Sequence, residues 1–106
     1  MLLAFLAIER LKLVKSRKSI YFAPATPESA ETFLFGFRNA LTLAGIPMEG
    51  RVWTIFERRG WKMDSCGVIP GMRAKGLTED QIMDELFDSY LDELRRIHDA
   101  PPSAAS

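Results

Sequence analysis

The sequence predicts an all-α protein, a compact bundle of four to five helices. Two long segments carry apolar residues at helical spacing between recognisable start and stop signals, and the N-terminal segment is apolar on most sides. With 106 residues there is room for one domain. A chain of this size buries roughly two-thirds of the surface its unfolded form exposes, enough for a core without metal or disulfide staples. The globular part is expected over residues 1–99, followed by a proline-led, disordered tail over residues 100–106.

Residues 2–15 suit a buried helix, although Leu11-Lys12-Leu13 also fits a strand. Ser19-Ile20-Tyr21-Phe22-Ala23-Pro24 reads as extended chain before the proline. The next helix spans residues 27–45: Thr26 is a good N-cap, Pro27 takes the first helical position, and Glu28 and Glu31 favour the positive helix end. Ala30, Phe33, Leu34, Phe37, Leu41 and Ala44 then form a stripe, and Gly45 and Pro47 stop it. Phe35 and Leu43 fall off the stripe, which implies a second apolar face. Val52-Trp53-Thr54-Ile55-Phe56 is a strand by propensity, whereas a helix over 49–60 would put Val52, Ile55, Phe56 and Arg59 on one face. A short helix covers about 68–75. Thr78 and Gln81 make a capping-box pair opening the last helix, about 79–99. One half of its wheel holds Ile82, Met83, Leu86, Phe87, Tyr90, Leu91, Leu94 and Ile97; Asp80, Asp84, Glu85, Asp88 and Asp92 fill the other. The two longest helices are expected to form a central antiparallel pair. The alternative fold is α+β, with strands near 7–14, 19–23 and 52–57.

Hydrophobic residues at 47% and charged residues at 26% are the profile of an ordinary globular protein. One cysteine excludes an internal disulfide and any multi-Cys metal site, and one histidine removes most metal and triad arrangements. The apolar run Met1 to Ile8 is cut off by Glu9 and Arg10, short of the ~20 residues of a membrane span and without the basic start of a signal peptide. A cytoplasmic protein with a free thiol is expected, with no cofactor, no metal and no membrane partner.

The order of features resembles a set of small bacterial helical proteins of unassigned activity. The match rests on Lys15-Ser16-Arg17-Lys18-Ser19-Ile20-Tyr21-Phe22, on Phe33-Leu34-Phe35-Gly36-Phe37-Arg38-Asn39-Ala40, on Phe56-Glu57-Arg58-Arg59-Gly60-Trp61, and on the acidic-aromatic run Leu86 to Leu94. It spans about residues 10–97. Where the set has a glycine after the first aromatic pair, Ala23 stands here. The resemblance implies a helical fold and favours helix over strand for residues 49–60. It also implies a bacterial source, on a mobile gene cassette.

Charge is segregated along the chain. Residues 1–75 carry 12 basic and 6 acidic side chains, and residues 76–106 carry 2 basic and 8 acidic. Either the last helix presents a solvated acidic face, or it docks on the basic part of its own chain, of a twin or of a partner. Glu93 is the residue that breaks the pattern, since the wheel sets it among apolar neighbours, where a carboxylate needs a donor. Arg38, on the flank of the 27–45 stripe, is its expected partner and Arg10 the second choice. Asp80, Asp84, Asp88 and Asp92 lie about 6 Å apart along one helix face, a spacing that does not converge on a metal ion. Cys66 lies in a loop, with His98 the only conceivable base, and His98 better complements the end of the last helix beside Arg95 and Arg96. Ala74 to Ile82 resembles the turn of a helix-turn-helix, but the following helix is acidic and would repel phosphates. Lys12, Lys15, Arg17 and Lys18 with Tyr21 form a short basic patch that a solvated loop explains as well.

These observations favour a small non-enzymatic interaction protein without nucleic-acid partners, acting as a homodimer through Phe35, Leu43 or part of the N-terminal helix. The alternative is a small-molecule binder with an aromatic-lined pocket between helices, oriented by Glu93, Arg38 and Tyr90.

Overall fold

A computed structural model describes residues 2–100. Six helices follow one another: α1 Leu2–Ser16, α2 Lys18–Tyr21, α3 Pro27–Leu43, α4 Val52–Glu57, α5 Ile69–Ala74 and α6 Glu79–His98. The described residues contain no strand, only an isolated bridge between Asp64 and Gly67, so the protein is all-α and the α+β alternative is excluded. Of the expected tail, residues 101–106 lie outside the described residues.

Local chemistry sets the helix ends where the sequence placed them. The Thr26 hydroxyl accepts from the Ser29 backbone N–H at 3.2 Å, with Pro27 at the first helical position. The capping box of α6 is complete: the Gln81 N–H donates to the Thr78 hydroxyl at 3.1 Å, and the Thr78 N–H donates to Gln81 Oε1 at 2.8 Å. At the end of α3 the chain turns at Gly45, whose φ of 96° suits a residue without Cβ. The Ile46 N–H reaches back to the Leu41 carbonyl and the Gly45 N–H to that of Thr42, a double closure that buries Ile46 beside the helix end. Gly76, at φ 88°, closes α5 the same way, with Leu77 bonded to Met72 and Gly76 to Arg73.

The core is organised around α6. Ile82, Met83, Leu86, Phe87, Tyr90, Leu91, Leu94 and Ile97 are buried against the other helices, as the periodicity predicted. Its most extensive neighbour is α1, then α3, with α4 and α5 closing the remaining side. Ala4, Ala7, Ile8, Leu11 and Val14 form the buried side of α1, and the two alanines allow a close approach of the helix axes. Phe5 near His98 and Lys15 bonded to Asp88 show that α1 runs antiparallel to α6. By contrast, Arg73 bridges Glu28 and Glu79, at the starts of α3 and α6, and Phe33 meets Phe87 further along both helices. The helices α3 and α6 therefore run in the same sense. The expected central antiparallel pair of these two is corrected: α1 takes the antiparallel place, because the turn at α2 returns the chain to the start of α6 before α3 begins.

Two other expectations shift. Residues 18–21 are a helical turn rather than extended chain, which places Lys18 Nζ 2.8 Å from Asp84 and 3.4 Å from Asp80; extended backbone starts at Phe22. Residues 52–57 are helical, shorter than the 49–60 span expected, with Ile55 and Phe56 buried and the Phe56 ring meeting Tyr90 edge-on.

Candidate interaction surface

Helix α1 is apolar on two sides, and α6 covers only one. On the other, Leu2 is 74% exposed, Leu6 52%, Phe5 46% and Leu3 39%. The expectation of a buried first helix holds for half of its circumference. Leu2, Phe5 and Leu6 sit at i, i+3 and i+4 and so form one continuous face. The face continues into a shallow groove of about 380 Å3 lined by Leu6, Glu9, Arg10 and Leu13. Glu9 meets Lys12 one turn on, at 3.4 Å. Arg10 has no acidic partner among the described residues.

The acidic helix is spent on its own chain. Lys15 lies 2.7 Å from Asp88, and Arg59 lies 2.8 Å from Glu85 and 2.5 Å from Asp92. The Trp61 indole N–H also donates to Glu85 at 2.8 Å. Hydrogen bonds from Arg59, then from Trp61, hold the Glu85 carboxyl below its ordinary value against the opposing effect of burial. Burial pulls the Lys18 ammonium down, but Asp84 and Asp80 outweigh it and the net shift is upward. The charge segregation in the sequence is thus the signature of an intramolecular clamp, in which the basic body grips α6. Lys12, Lys15 and Lys18 of the short basic patch are all engaged in ion pairs.

Glu93 is buried, 2% exposed, as its place on the wheel required. Its partners differ from those expected. Arg58, just past α4, and Arg96, one turn along α6 at 2.6 Å, hold the carboxylate, and Arg58 also reaches Glu49 at 3.2 Å. Arg38 instead donates to the backbone carbonyls of Glu49 at 2.6 Å and Gly50 at 3.1 Å, pinning the loop after α3, and Arg10 faces outward on α1. Arg96 was legible as an i+3 neighbour of Glu93; Arg58 was not, since only the packing of α4 on α6 brings it there.

Of the three candidate ligand-orienting residues, Arg38 and Tyr90 come into electrostatic range of each other and Glu93 is neutralised apart from them. Burial pushes the Tyr90 phenol well above its usual range, Arg38 pulls it back and Glu31 pushes it further up. The Tyr90 hydroxyl and Arg38 Nε are buried without a partner among the described residues. The aromatic-lined groove lies elsewhere, between α2 and the start of α3, where Tyr21, Phe22 and Phe33 meet Glu28, Ser29 and Thr32. The interface candidates Phe35 and Leu43 are exposed, at 39% and 90%, but they stand eight residues apart and do not form a stripe. The apolar face of α1 was half-hidden in the sequence, because an all-round apolar helix reads as buried until its neighbours are counted. Among the described residues no group of acidic, His and Cys side chains could hold a metal ion, and no helix is long and apolar enough to cross a membrane. No family profile, no curated protein and no solved structure matches this chain.

Proposed function

We propose that this is a small non-enzymatic interaction protein and that it acts through the outer face of α1. The observation that carries the reading is the run Leu2, Phe5 and Leu6, left in water on a helix whose opposite side is packed. Burying one such side chain fully is worth roughly 1.5–3 kcal/mol. Three together are a large quantity for a domain whose net stability is on the order of 5–15 kcal/mol. Contiguous apolar surface of this kind is the usual mark of a contact site. The exposed, unpaired thiol of Cys66 suits a reducing cytoplasm, and the resemblance noted above suits an accessory protein of a bacterial gene cassette. The test is a photoreactive side chain introduced in place of Leu6, with Asp80 on the acidic helix as control, in cells producing the protein. Protein adducts are expected at Leu6 and none at Asp80; a Leu6 position that yields no adduct overturns the reading.

A second reading, the small-molecule binder, is supported by the unpartnered Tyr90 hydroxyl and Arg38 Nε. On that reading a polar ligand raises the melting temperature of the wild type and not of Tyr90→Phe. A mixed ligand set that leaves both unchanged removes it.

A further inference from the structure

The geometry points to a second copy of this chain as the occupant of the α1 face, packed antiparallel so that Leu6 of each copy seats in the Leu6–Glu9–Arg10–Leu13 groove of the other. This inference rests on the reading of α1 as the contact surface and names its partner. The groove residues stand at i, i+3, i+4 and i+7, the four positions that form a hole for one side chain of a facing helix. The exposed Leu6 is a knob of the right kind, and in an antiparallel pair each copy supplies one knob and one hole. Seating Leu6 there sets Leu13 of one copy opposite Leu2 of the other, so the full length of the apolar face is covered.

Charge selects the direction. The N-terminal half of the face is apolar, Leu2, Leu3, Phe5 and Leu6, whereas the C-terminal half carries Arg10 and Lys12 exposed, with Arg17 exposed just past the helix end. A parallel pair would align these cations with their own copies. An antiparallel pair lays the alkyl stems of Arg10 and Lys12 over Leu3 and Phe5 of the other copy. In either direction Glu9, the only acidic residue of α1, lies within a turn of Arg10 of the other copy, so this pair supports self-association while the exposed cations set its direction. A contact about 22 Å long is small for a specific interface, so the dimer is expected to dissociate on dilution.

Sedimentation velocity on the purified chain over a dilution series tests the partner, and charge exchange tests the pairing. Glu9→Arg and Arg10→Glu are each expected to weaken self-association about tenfold, and an equimolar mixture of the two variants is expected to associate at least as well as wild type. Direction is read by oxidative cross-linking in a Cys66→Ser background. Leu2→Cys mixed with Leu13→Cys is expected to form a disulfide-linked dimer. Leu2→Cys alone is not, because its two copies lie roughly 16 Å apart along the pair. A chain that stays monomeric at every concentration, charge variants without effect, or cross-linking of Leu2→Cys to itself would each overturn the inference. Monomers in solution combined with adducts at Leu6 to a protein of another mass would leave the contact reading standing and refute the second copy. Absence of any adduct would refute the contact reading itself.

Discussion

Glu93→Gln probes the one charged side chain that, among the described residues, the fold takes out of water. The carboxylate accepts from Arg58 and from Arg96, whose side chains keep 39% and 51% of their exposure. Replacing it with an amide keeps the volume but removes the charge and sets an NH2 group, with its two N–H donors, against the guanidinium groups. Breaking a fully buried pair costs about 3–5 kcal/mol. Here both arginines can turn to water, so the expected loss is one charge-assisted hydrogen bond, about 1.5–3 kcal/mol. For a domain of this size that lowers the melting temperature by roughly 4–8 °C per kcal/mol. Urea unfolding followed by circular dichroism gives the free energy, and an unchanged slope would confirm that the compactness of both end states is preserved. Arg58→Ala is expected to cost less, since Arg96 remains. A double-mutant cycle of Glu93 with Arg58 is expected to show coupling, whereas the cycle with Arg38 is expected to show none, because Arg38 binds the Glu49 and Gly50 carbonyls. A Glu93→Gln protein within about 0.5 kcal/mol of wild type, or a larger coupling to Arg38 than to Arg58, would refute this assignment.

Salt, pH and two further substitutions probe the rest of the fold. Raising ionic strength is expected to lower the melting temperature modestly, because the Lys15–Asp88, Lys18–Asp84 and Arg59–Glu85 pairs all clamp α6 to the body; a melting temperature independent of salt would contradict the clamp. Arg59 holds the folded Glu85 carboxyl below its ordinary 4.5, so the stability it contributes is present above that value and is lost as the pH falls through the depressed one; acid titration of wild type against Glu85→Gln reads this directly, and parallel curves would contradict it. Glu31 has the opposite sign: burial, then Glu28, raises its carboxyl, so its ionisation works against the fold, and Glu31→Gln is expected to stabilise at pH 7 and to have little effect at pH 3. A Glu31→Gln protein less stable than wild type at pH 7 would contradict that sign. Tyr90→Phe removes a buried hydroxyl without a partner among the described residues and is expected to be neutral or stabilising; a loss of about 1 kcal/mol or more would show that the hydroxyl is bonded.

Helix ends were legible because each rests on two or three adjacent residues: Thr26 with Pro27, Thr78 with Gln81, and Gly45 before its proline. The burial of Glu93 was legible for the same local reason, its angle on the α6 wheel. What escaped the sequence depends on which helices meet. The same-sense packing of α3 on α6 follows from the path taken by the short turn at α2, and the pairing of Glu93 with Arg58 follows from where α4 ends. Local propensity also lost to tertiary contact at residues 18–21, where a helical turn lets Lys18 reach Asp84. The outward face of α1 lay between these cases. Its apolar residues were plain, but whether they were covered depended on how many neighbours the helix acquired, and it acquired α6 on one side only, with the short α2 at its end.

The claim that α1 is the contact surface meets its most direct test in three dilution series run side by side by sedimentation velocity, on wild type, Leu6→Glu and Phe35→Asp. Wild type and Phe35→Asp are expected to associate alike as concentration rises, and Leu6→Glu is expected to remain monomeric while keeping the helical circular dichroism of the folded chain. Association lost in Phe35→Asp and retained in Leu6→Glu would place the contact on α3 and contradict the account.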